Sequence, residues 1–175
     1  MGQPEEENRG MLTEFFLEDH RRLDGLFQAT VVHPGTINDC AYAQFRAGLL
    51  RHIGMEEKIL LPAAQRQRRG EPLPIAAKLR LDHGALASLL MPTPTATILA
   101  AIQNILVDHN VLEEGADGLY RTCDALAGPE AELILASLRA APEVTVMPYN
   151  DSPAVMNAVL RALVRAGYHL GEQNP

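Results

Sequence analysis

The sequence predicts an all-α protein, namely an antiparallel up-down four-helix bundle followed by a short C-terminal extension that is part helical and part strand-like. In four segments, apolar residues recur at steps of three and four, the spacing of one buried face of an α-helix. Breaks rich in proline and glycine separate these segments, and short connections favour antiparallel neighbours. Histidines and glutamates share the apolar faces, which indicates that the buried faces also carry a functional site.

The first helix follows a polar, glutamate-rich stretch, residues 1–10, that we expect to be a disordered leader. The bundle is predicted over residues 11–127. The apolar face of its first helix carries Leu12, Phe16, His20, Leu23 and Phe27. A break at His33-Pro34-Gly35 ends this helix, and Thr36 with Asp39 resembles the N-terminal cap of the next.

The second and third helices each place histidine on the buried face. In the second, His52 and Glu56 continue a stripe that includes Tyr42, Phe45 and Leu49, and Pro62 is predicted to end or kink the helix. Residues 71–74 form a linker. The stripe of the third helix consists of Leu79, His83, Leu86 and Leu90.

The fourth helix is predicted to start near Pro94 and to continue to Gly128. Its stripe contains Ile98, Ile102, Ile105, His109, Glu113, Ala116 and Tyr120. We expect Tyr120 to be a core tyrosine, although its position two turns beyond Glu113 would also suit a redox-active phenol above a site.

The C-terminal extension, residues 128–175, contains three predicted pieces. These are a helix over 129–140, a strand-like run over 144–147, and a last helix from Ser152-Pro153 to Arg165 that ends at Gly167. The extension could pack on the bundle or on a second subunit, which would make a homodimer. The sequence leaves both arrangements open.

Six side chains on the predicted buried faces form a candidate metal site. A lone histidine on an apolar face is usually a hydrogen-bonded core residue, but here each helix contributes one, and two helices add a glutamate one turn later. Burying these groups without a cation would cost several kcal/mol each. Nitrogen and oxygen ligands without sulfur suit iron, manganese or zinc. The candidate metal ligands are His20, His52, Glu56, His83, His109 and Glu113.

The motifs around these residues resemble the hemerythrin-like, or HHE cation-binding, domain family. The resemblance covers about residues 11–127. It rests on Glu18-Asp19-His20-Arg21-Arg22-Leu23, His52-x-x-x-Glu56-Glu57-x-x-Leu60-x-Pro62, Asp82-His83-x-x-Leu86 and His109-x-x-x-Glu113-Glu114.

The resemblance implies a non-haem di-iron centre whose two ions share an oxo or hydroxo bridge and bind O2 or related small molecules such as NO and peroxide. Carried over by position, Glu56 and Glu113 would bridge the ions. His20 and His52 would bind one ion, and His83 and His109 the other. Manganese and zinc remain alternatives to iron.

Two departures distinguish this chain from the oxygen carriers of that family. Those proteins have a second histidine on the third helix, where this chain has Ala87 four residues after His83 and Leu79 four before it. Their last helix uses an aspartate five residues after its histidine, whereas here Glu113 follows His109 at four and Glu114 at five. A more open centre favours sensing, redox detoxification or iron handling over oxygen carriage.

Two further expectations concern residues that are next to the candidate ligands in the sequence. Among the acids Asp19, Glu57, Asp82, Asp108 and Glu114, one or two should orient an imidazole on a neighbouring helix. Glycines near the ligands, such as Gly54, are hypothesised to relieve crowding around the metal ions.

The overall composition and charge of the chain exclude some classes of function. A formal net charge of −7 argues against a nucleic-acid partner, since phosphate binding needs a basic surface. No apolar run is long enough for a membrane span, and the acidic start differs from a signal peptide, so we expect a cytoplasmic protein. The pattern favours a metal- and small-molecule-binding protein over a dedicated enzyme and indicates neither a separate catalytic residue nor an organic cofactor. The alternative is an iron-binding regulatory or interaction module without turnover.

Overall fold

The computed structural model describes residues 10–33 and 36–171 and is all-α, as predicted. The predicted leader lies outside the described residues except for Gly10. Helical elements are α1 (Met11–Thr30), α2 (Asp39–Met55), a π-helix (Glu56–Leu60), α3 (Leu61–Gln67), α4 (Ala76–Leu89), α5 (Ala96–Glu114), α6 (Leu119–Ala127), a 3-10 turn (Gly128–Glu130), α7 (Ala131–Arg139) and α8 (Pro153–Ala166). Two very short strands, β1 (Val31–His33) and β2 (Thr36–Ile37), pair antiparallel between α1 and α2.

The N-terminus of α1 is held by a side chain from a distant helix. The carboxylate of Asp124, on α6, accepts hydrogen bonds from the backbone N–H groups of Leu12 (3.0 Å) and Thr13 (2.9 Å). It thereby satisfies amides that the first turn of a helix leaves without intrahelical partners. A Cβ atom at Gly10 would lie 2.1 Å from Asp124 Cγ, so only glycine leaves room for this contact.

The second helix differs from prediction at its start, and at its end the run changes to a π-helix and continues rather than stopping. Asn38, rather than Thr36, caps α2, with its side chain accepting from the Ala41 N–H at 3.1 Å. Pro62 does not end the helical run, because the π-helix leads directly from α2 into α3, with the Leu61 N–H bonded to the Glu56 carbonyl. Since proline cannot donate a backbone hydrogen bond and its ring crowds the preceding turn, the wider π turn accommodates Pro62 without a break.

The predicted fourth helix is interrupted, which corrects its continuous extent to Gly128. Helix α5 ends at Glu114, and α6 begins at Leu119 after a turn in which the Gly118 N–H donates to the Gly115 carbonyl at 2.9 Å. A Cβ atom at Gly118 would lie only 2.6 Å from the Glu113 carbonyl oxygen. The close approach therefore requires glycine and turns the chain back toward the site just before Tyr120.

The C-terminal extension is helical at both ends but contains no strand among its described residues, so the strand-like prediction for 144–147 is wrong. That segment is held instead by side-chain and backbone contacts, including a hydrogen bond from Arg46 Nη2 to the Met147 carbonyl at 3.2 Å. Helix α8 begins at the predicted cap Ser152, ends at Gly167 in the left-handed region (φ 92°), and packs on α4 of the same chain.

The core consists of two apolar clusters with the histidines and glutamates between them. One cluster includes Leu12 and Phe16 of α1, and the other includes Leu23 of the same helix. His20 lies between them in the sequence. The same alternation occurs in the other ligand-bearing elements: Leu49 and Leu60 flank His52 and Glu56, Leu79 and Leu86 flank His83, and Ile105 and Leu119 flank His109 and Glu113.

Candidate metal centre

The six candidate ligands meet in the layer between the two apolar clusters. Both glutamates are fully buried, and the histidines are between 2% and 6% exposed. Helices α1, α4 and α5 contribute His20, His83, His109 and Glu113, whereas α2 and the following π-helix contribute His52 and Glu56. The structure thus brings together side chains that are up to 93 residues apart in the sequence.

The imidazoles form two close pairs. Nε2 of His20 lies 3.0 Å from Nε2 of His52, and Nε2 of His83 lies 3.1 Å from Nε2 of His109. A single proton can sit between two such nitrogens, so at least one nitrogen of each pair presents a lone pair to the other. Two ligands about 2.1 Å from a metal ion and at right angles would lie about 3.0 Å apart. The pair distances match that spacing.

Every histidine of the site has a carboxylate at its other ring nitrogen. These carboxylates favour a proton on Nδ1 and leave Nε2 as the inward-facing atom, which is the arrangement found behind most metal-bound histidines. The Nδ1 contacts are His20 with Glu114 (2.5 Å), His52 with Asp19 (2.8 Å), His83 with Glu57 (2.7 Å) and His109 with Asp82 (3.4 Å).

These four acids follow a regular pattern that sequence reasoning recognised only in part. It anticipated one or two orienting acids, and the structure places four. Asp19 and Asp82 precede a candidate ligand in the sequence and reach the histidine of the next ligand-bearing helix, while Glu57 and Glu114 follow one. Asp108 has the same position before His109 but is exposed.

Each buried glutamate spans both histidine pairs. Oε1 of Glu56 lies 3.4 Å from Nε2 of His52, and its Oε2 lies 3.1 Å from Nε2 of His83. Oε2 of Glu113 lies 3.3 Å from Nε2 of His20, and its Oε1 lies 2.8 Å from Nε2 of His109. One oxygen of each carboxylate therefore faces each pair.

The site has more acceptors than its own protons satisfy. Among the described residues, Glu56 Oε2 and Glu113 Oε1 are buried and have no hydrogen-bond partner of acceptable geometry, despite their short distances to imidazole nitrogens. Leaving such groups unpaired in a core costs about 1–3 kcal/mol or more. Donor atoms from these residues lie within 4.8 Å of one another in two groups, Glu56-His83-His109-Glu113 and His20-His52-Glu113. This donor set fits the binding of metal cations.

Tyr120 is buried, as predicted, but its hydroxyl also belongs to the site. It donates to Oε1 of Glu56 at 2.7 Å or to Oε2 of Glu113 at 3.0 Å. The same oxygen lies 3.0 Å from Nε2 of His20 and 3.4 Å from Nε2 of His52. Its location two turns beyond Glu113 was the one sequence signal for this placement, and the break before α6 was not predicted.

Electrostatics within the site favour cationic imidazoles and ionised carboxylates. Burial alone would lower the pKa of His20, but hydrogen bonds to Glu113 and Glu114 raise it to about 10. Burial is likewise outweighed at His83, whose pKa rises to about 11 through Glu113, Glu56 and Glu57. Burial raises the pKa of Glu113, but the histidines, led by His109, hold it well below the usual value. A metal ion at the Nε2 atoms would replace protons that these carboxylates now hold there.

In contrast to these ionised groups, the phenol of Tyr120 is held in its neutral form. Burial, followed by the charges of Glu113 and Glu56, raises its pKa well above 10. In the metal-free protein the phenol is therefore protonated, which is consistent with its role as a donor to the two carboxylates.

A small cavity of about 10 Å³ adjoins the site on the side away from Tyr120, just large enough for about one water-sized molecule. Its polar residues include His20, His52 and His109. The remaining walls are mostly apolar and include Leu23, Phe45, Leu49, Leu86 and Leu106. Such a cavity suits a small uncharged ligand better than a charged one.

The glycine hypothesis fails on geometry. A Cβ atom at Gly54 or Gly84 would meet no atom within 4 Å beyond its own helix, so neither glycine relieves crowding around the site. The two positions considered for a second histidine on the third helix are occupied by Leu79, which is buried in the core, and Ala87, which is partly exposed.

No protein-family model, curated protein or solved structure matches the chain. Within the described residues, no helix is long and apolar enough to cross a membrane.

Proposed function

We propose that this protein is a non-haem di-iron protein of the hemerythrin-like class that binds O2 or a related small molecule, such as NO or peroxide, for sensing, redox detoxification or iron handling. One observation carries the proposal: each of two buried carboxylates directs one oxygen toward each of two histidine pairs. Two cations that share both carboxylates would satisfy every inward-facing atom of the layer.

The proposal also includes the arrangement of the helices as an antiparallel four-helix bundle. Along α1 and α4 the chain passes from the cluster around Phe16 to the cluster around Leu23, and along α2 and α5 it passes back. This alternation supports an up-down arrangement of the four helices, with α6, α7 and α8 packed around them. Helix contacts of α1 with α2 and of α4 with α5 agree with it.

The chain's own groups would have distinct roles. His20 and His52 would hold one ion, and His83 and His109 the other, with Glu56 and Glu113 as shared ligands. Asp19, Glu57, Asp82 and Glu114 would fix the imidazole tautomers and ring orientations. Nitrogen and oxygen donors from the protein suit iron. Bound iron would supply reversible redox chemistry and affinity for small molecules that bind through oxygen or nitrogen.

The apolar cavity beside His20, His52 and His109 supports a small neutral ligand in this proposal. Its apolar walls disfavour a charged molecule, and its small volume limits a ligand to a few atoms. A diatomic gas or a peroxide is of the size that this space and modest side-chain movement would admit.

The second candidate, an iron-binding regulatory module without turnover, is favoured by the unpartnered atoms Glu56 Oε2 and Glu113 Oε1. Because a cation would give these atoms the partners that they lack, folding itself would report on iron availability. A third possibility, a metal-free helical interaction domain, leaves these atoms unexplained.

The test is anaerobic purification with ferrous iron, followed by metal counting and absorption spectroscopy on addition of oxygen. Two irons per chain with a change in spectrum support the di-iron function, and iron-dependent stability without any reaction supports the regulatory module. Binding of manganese or zinc in preference to iron would overturn the choice of metal. Absence of bound metal would refute both candidates.

The ligand assignment is tested with Glu56→Ala and Glu113→Ala, for which metal content should fall sharply. His169→Ala is the matched control, since His169 is exposed and far along the chain from the site. Full metal content in both glutamate variants would contradict the assignment.

A further inference from the structure

The two halves of the candidate metal centre are alike except for one side chain. Each half has two Nε2 atoms and one oxygen from each of Glu56 and Glu113. The half formed by His20 and His52 also contains the Tyr120 hydroxyl. Among the described residues, no tyrosine forms a hydrogen bond or a ring contact with His83 or His109.

The phenol oxygen is surrounded by more acceptors than it can satisfy. It has one proton, which can go to Glu56 Oε1 at 2.7 Å or to Glu113 Oε2 at 3.0 Å, but not to both. Nε2 of His20 at 3.0 Å and Nε2 of His52 at 3.4 Å can share only one proton between them, so at least one of them also presents a lone pair. Five nitrogen and oxygen atoms therefore converge around one point with fewer protons than a full set of hydrogen bonds needs.

The spacing of these five atoms is that of ligands around a single ion. Adjacent ligands at about 2.1 Å from a metal ion lie about 3.0 Å apart when they are at right angles. The Tyr120 oxygen is between 2.7 Å and 3.4 Å from each of the other four atoms. A cation at the centre would replace the protons that these atoms share and could be coordinated by all five.

We propose that Tyr120 is a metal ligand, its phenolate oxygen completing the coordination of the ion held by His20 and His52. This inference rests on the proposed function. On binding, the phenolic O–H bond breaks, a metal–oxygen bond forms and the proton passes to solvent, with no change of oxidation state.

The fold holds the phenol in place for this role. The ring of Tyr120 stacks on Phe16 of α1, with centroids 4.6 Å apart and planes 4° from parallel. Helix α6 starts at Leu119, immediately after the Gly118 turn that brings it against Glu113. The residue is thus positioned by packing that does not depend on the site.

A tyrosine ligand makes the centre asymmetric. The half with His20 and His52 gains a fifth protein ligand, whereas the half with His83 and His109 has four. Open coordination positions for an external ligand are therefore expected chiefly at the ion held by His83 and His109, which the cavity reaches at His109. This narrows the sequence-based expectation of a more open centre to one of the two ions.

The experiment compares the wild-type protein with Tyr120→Phe and with Tyr42→Phe as the matched control. Tyr42 is also fully buried, and its hydroxyl is without a hydrogen-bond partner among the described residues. Each protein is loaded with iron, oxidised to the ferric state and examined for a phenolate-to-iron charge-transfer band and for phenolate vibrations by resonance Raman. Metal content and helicity are measured in parallel.

The expected result is a phenolate band in wild type and Tyr42→Phe that is absent in Tyr120→Phe, which keeps two metal ions and its helicity. A second measurement that does not depend on any variant is the ultraviolet difference spectrum on binding redox-inert Ga³⁺ to the wild type, which should show one phenolate per chain. Two bound metals without phenolate signals would overturn this inference alone. Failure of the wild type to bind metal would refute the proposed function itself.

Discussion

At the residue scale, the acids that contact Nδ1 of the histidines do as much to define the site as the candidate ligands themselves. Without Asp19, Glu57, Asp82 and Glu114, each imidazole could rotate or carry its proton on the inward nitrogen. Their contacts with Nδ1 explain why four buried histidines all present Nε2 to the same layer.

Asp19→Asn should therefore weaken metal binding without removing a ligand. The amide can still contact His52 Nδ1, but it no longer stabilises the proton on that nitrogen by charge, and changes of this kind lower metal affinity by about 10–100-fold. Competition with a chelator of known affinity measures the effect. Glu18→Gln, which alters an exposed acid of the same helix, should leave affinity unchanged. Equal affinities for both variants would contradict the orienting role.

The ionised histidines also set the pH dependence of the metal-free protein. The pKa values of His109, His20 and His83 are raised to about 9, 10 and 11, so their contribution to stability is complete below pH 6.5 and is lost as pH rises through those values. The pKa of Glu113 is lowered, so its contribution is lost as pH falls below 4.5.

Thermal unfolding of the metal-free protein should accordingly show highest stability between about pH 4.5 and 6.5 and a decline toward alkaline pH. Metal binding replaces the Nε2 protons, so the loaded protein should not show that alkaline decline. A metal-free protein whose stability rises from pH 7 to 10 would disprove the ion-paired cluster. His169→Ala provides the control for an exposed histidine.

At the element scale, two irregularities position the site. The π-helix starts at the candidate ligand Glu56 and lets the helical run pass Pro62, and the turn at 115–118 brings α6 back against Glu113. Both are consequences of residues that normally interrupt helices, proline in one case and glycine in the other.

Alanine substitutions at Gly118, which is in close contact with a backbone oxygen, and at Gly54, which is not, should have opposite effects on stability. Gly118→Ala should destabilise the fold by about 1–3 kcal/mol, because its Cβ would lie 2.6 Å from the Glu113 carbonyl oxygen. Gly54→Ala should stabilise it by about 0.5–1 kcal/mol, since that site in α2 has space for a methyl group. Denaturant unfolding of metal-free protein measures both. Similar effects of the two substitutions would show that the close contact at Gly118 is unimportant.

At the scale of the whole molecule, the polar layer divides the core, and we expect it to couple metal binding to folding. Two apolar clusters stabilise the helices above and below it, while the layer itself contains carboxylate oxygens that lack a hydrogen bond of acceptable geometry. The protein should fold most stably when cations occupy the layer.

Removal of metal should therefore lower the melting temperature substantially. A ligand that binds only the folded state at 100 times its dissociation constant stabilises that state by about 2.7 kcal/mol. Calorimetry with and without a chelator measures the loss, and re-addition of metal should restore the original transition. In Glu56→Ala the chelator should have little further effect. A melting temperature indifferent to metal in the wild type would contradict the coupling.

The sequence by itself determined the all-α class and the six residues that meet in the layer, because helical periodicity links spacing along the chain to one buried face. Periodicity alone identifies the stripe from Leu12 to Leu23 and the pairs His52-Glu56 and His109-Glu113, without knowledge of which helices pack together. Only the tertiary structure decided which acid orients which histidine and that Tyr120 enters one half of the site. Those contacts join residues from different helices, such as Glu114 and His20 or Tyr120 and Glu56, and depend on packing and on a glycine turn that periodicity does not encode.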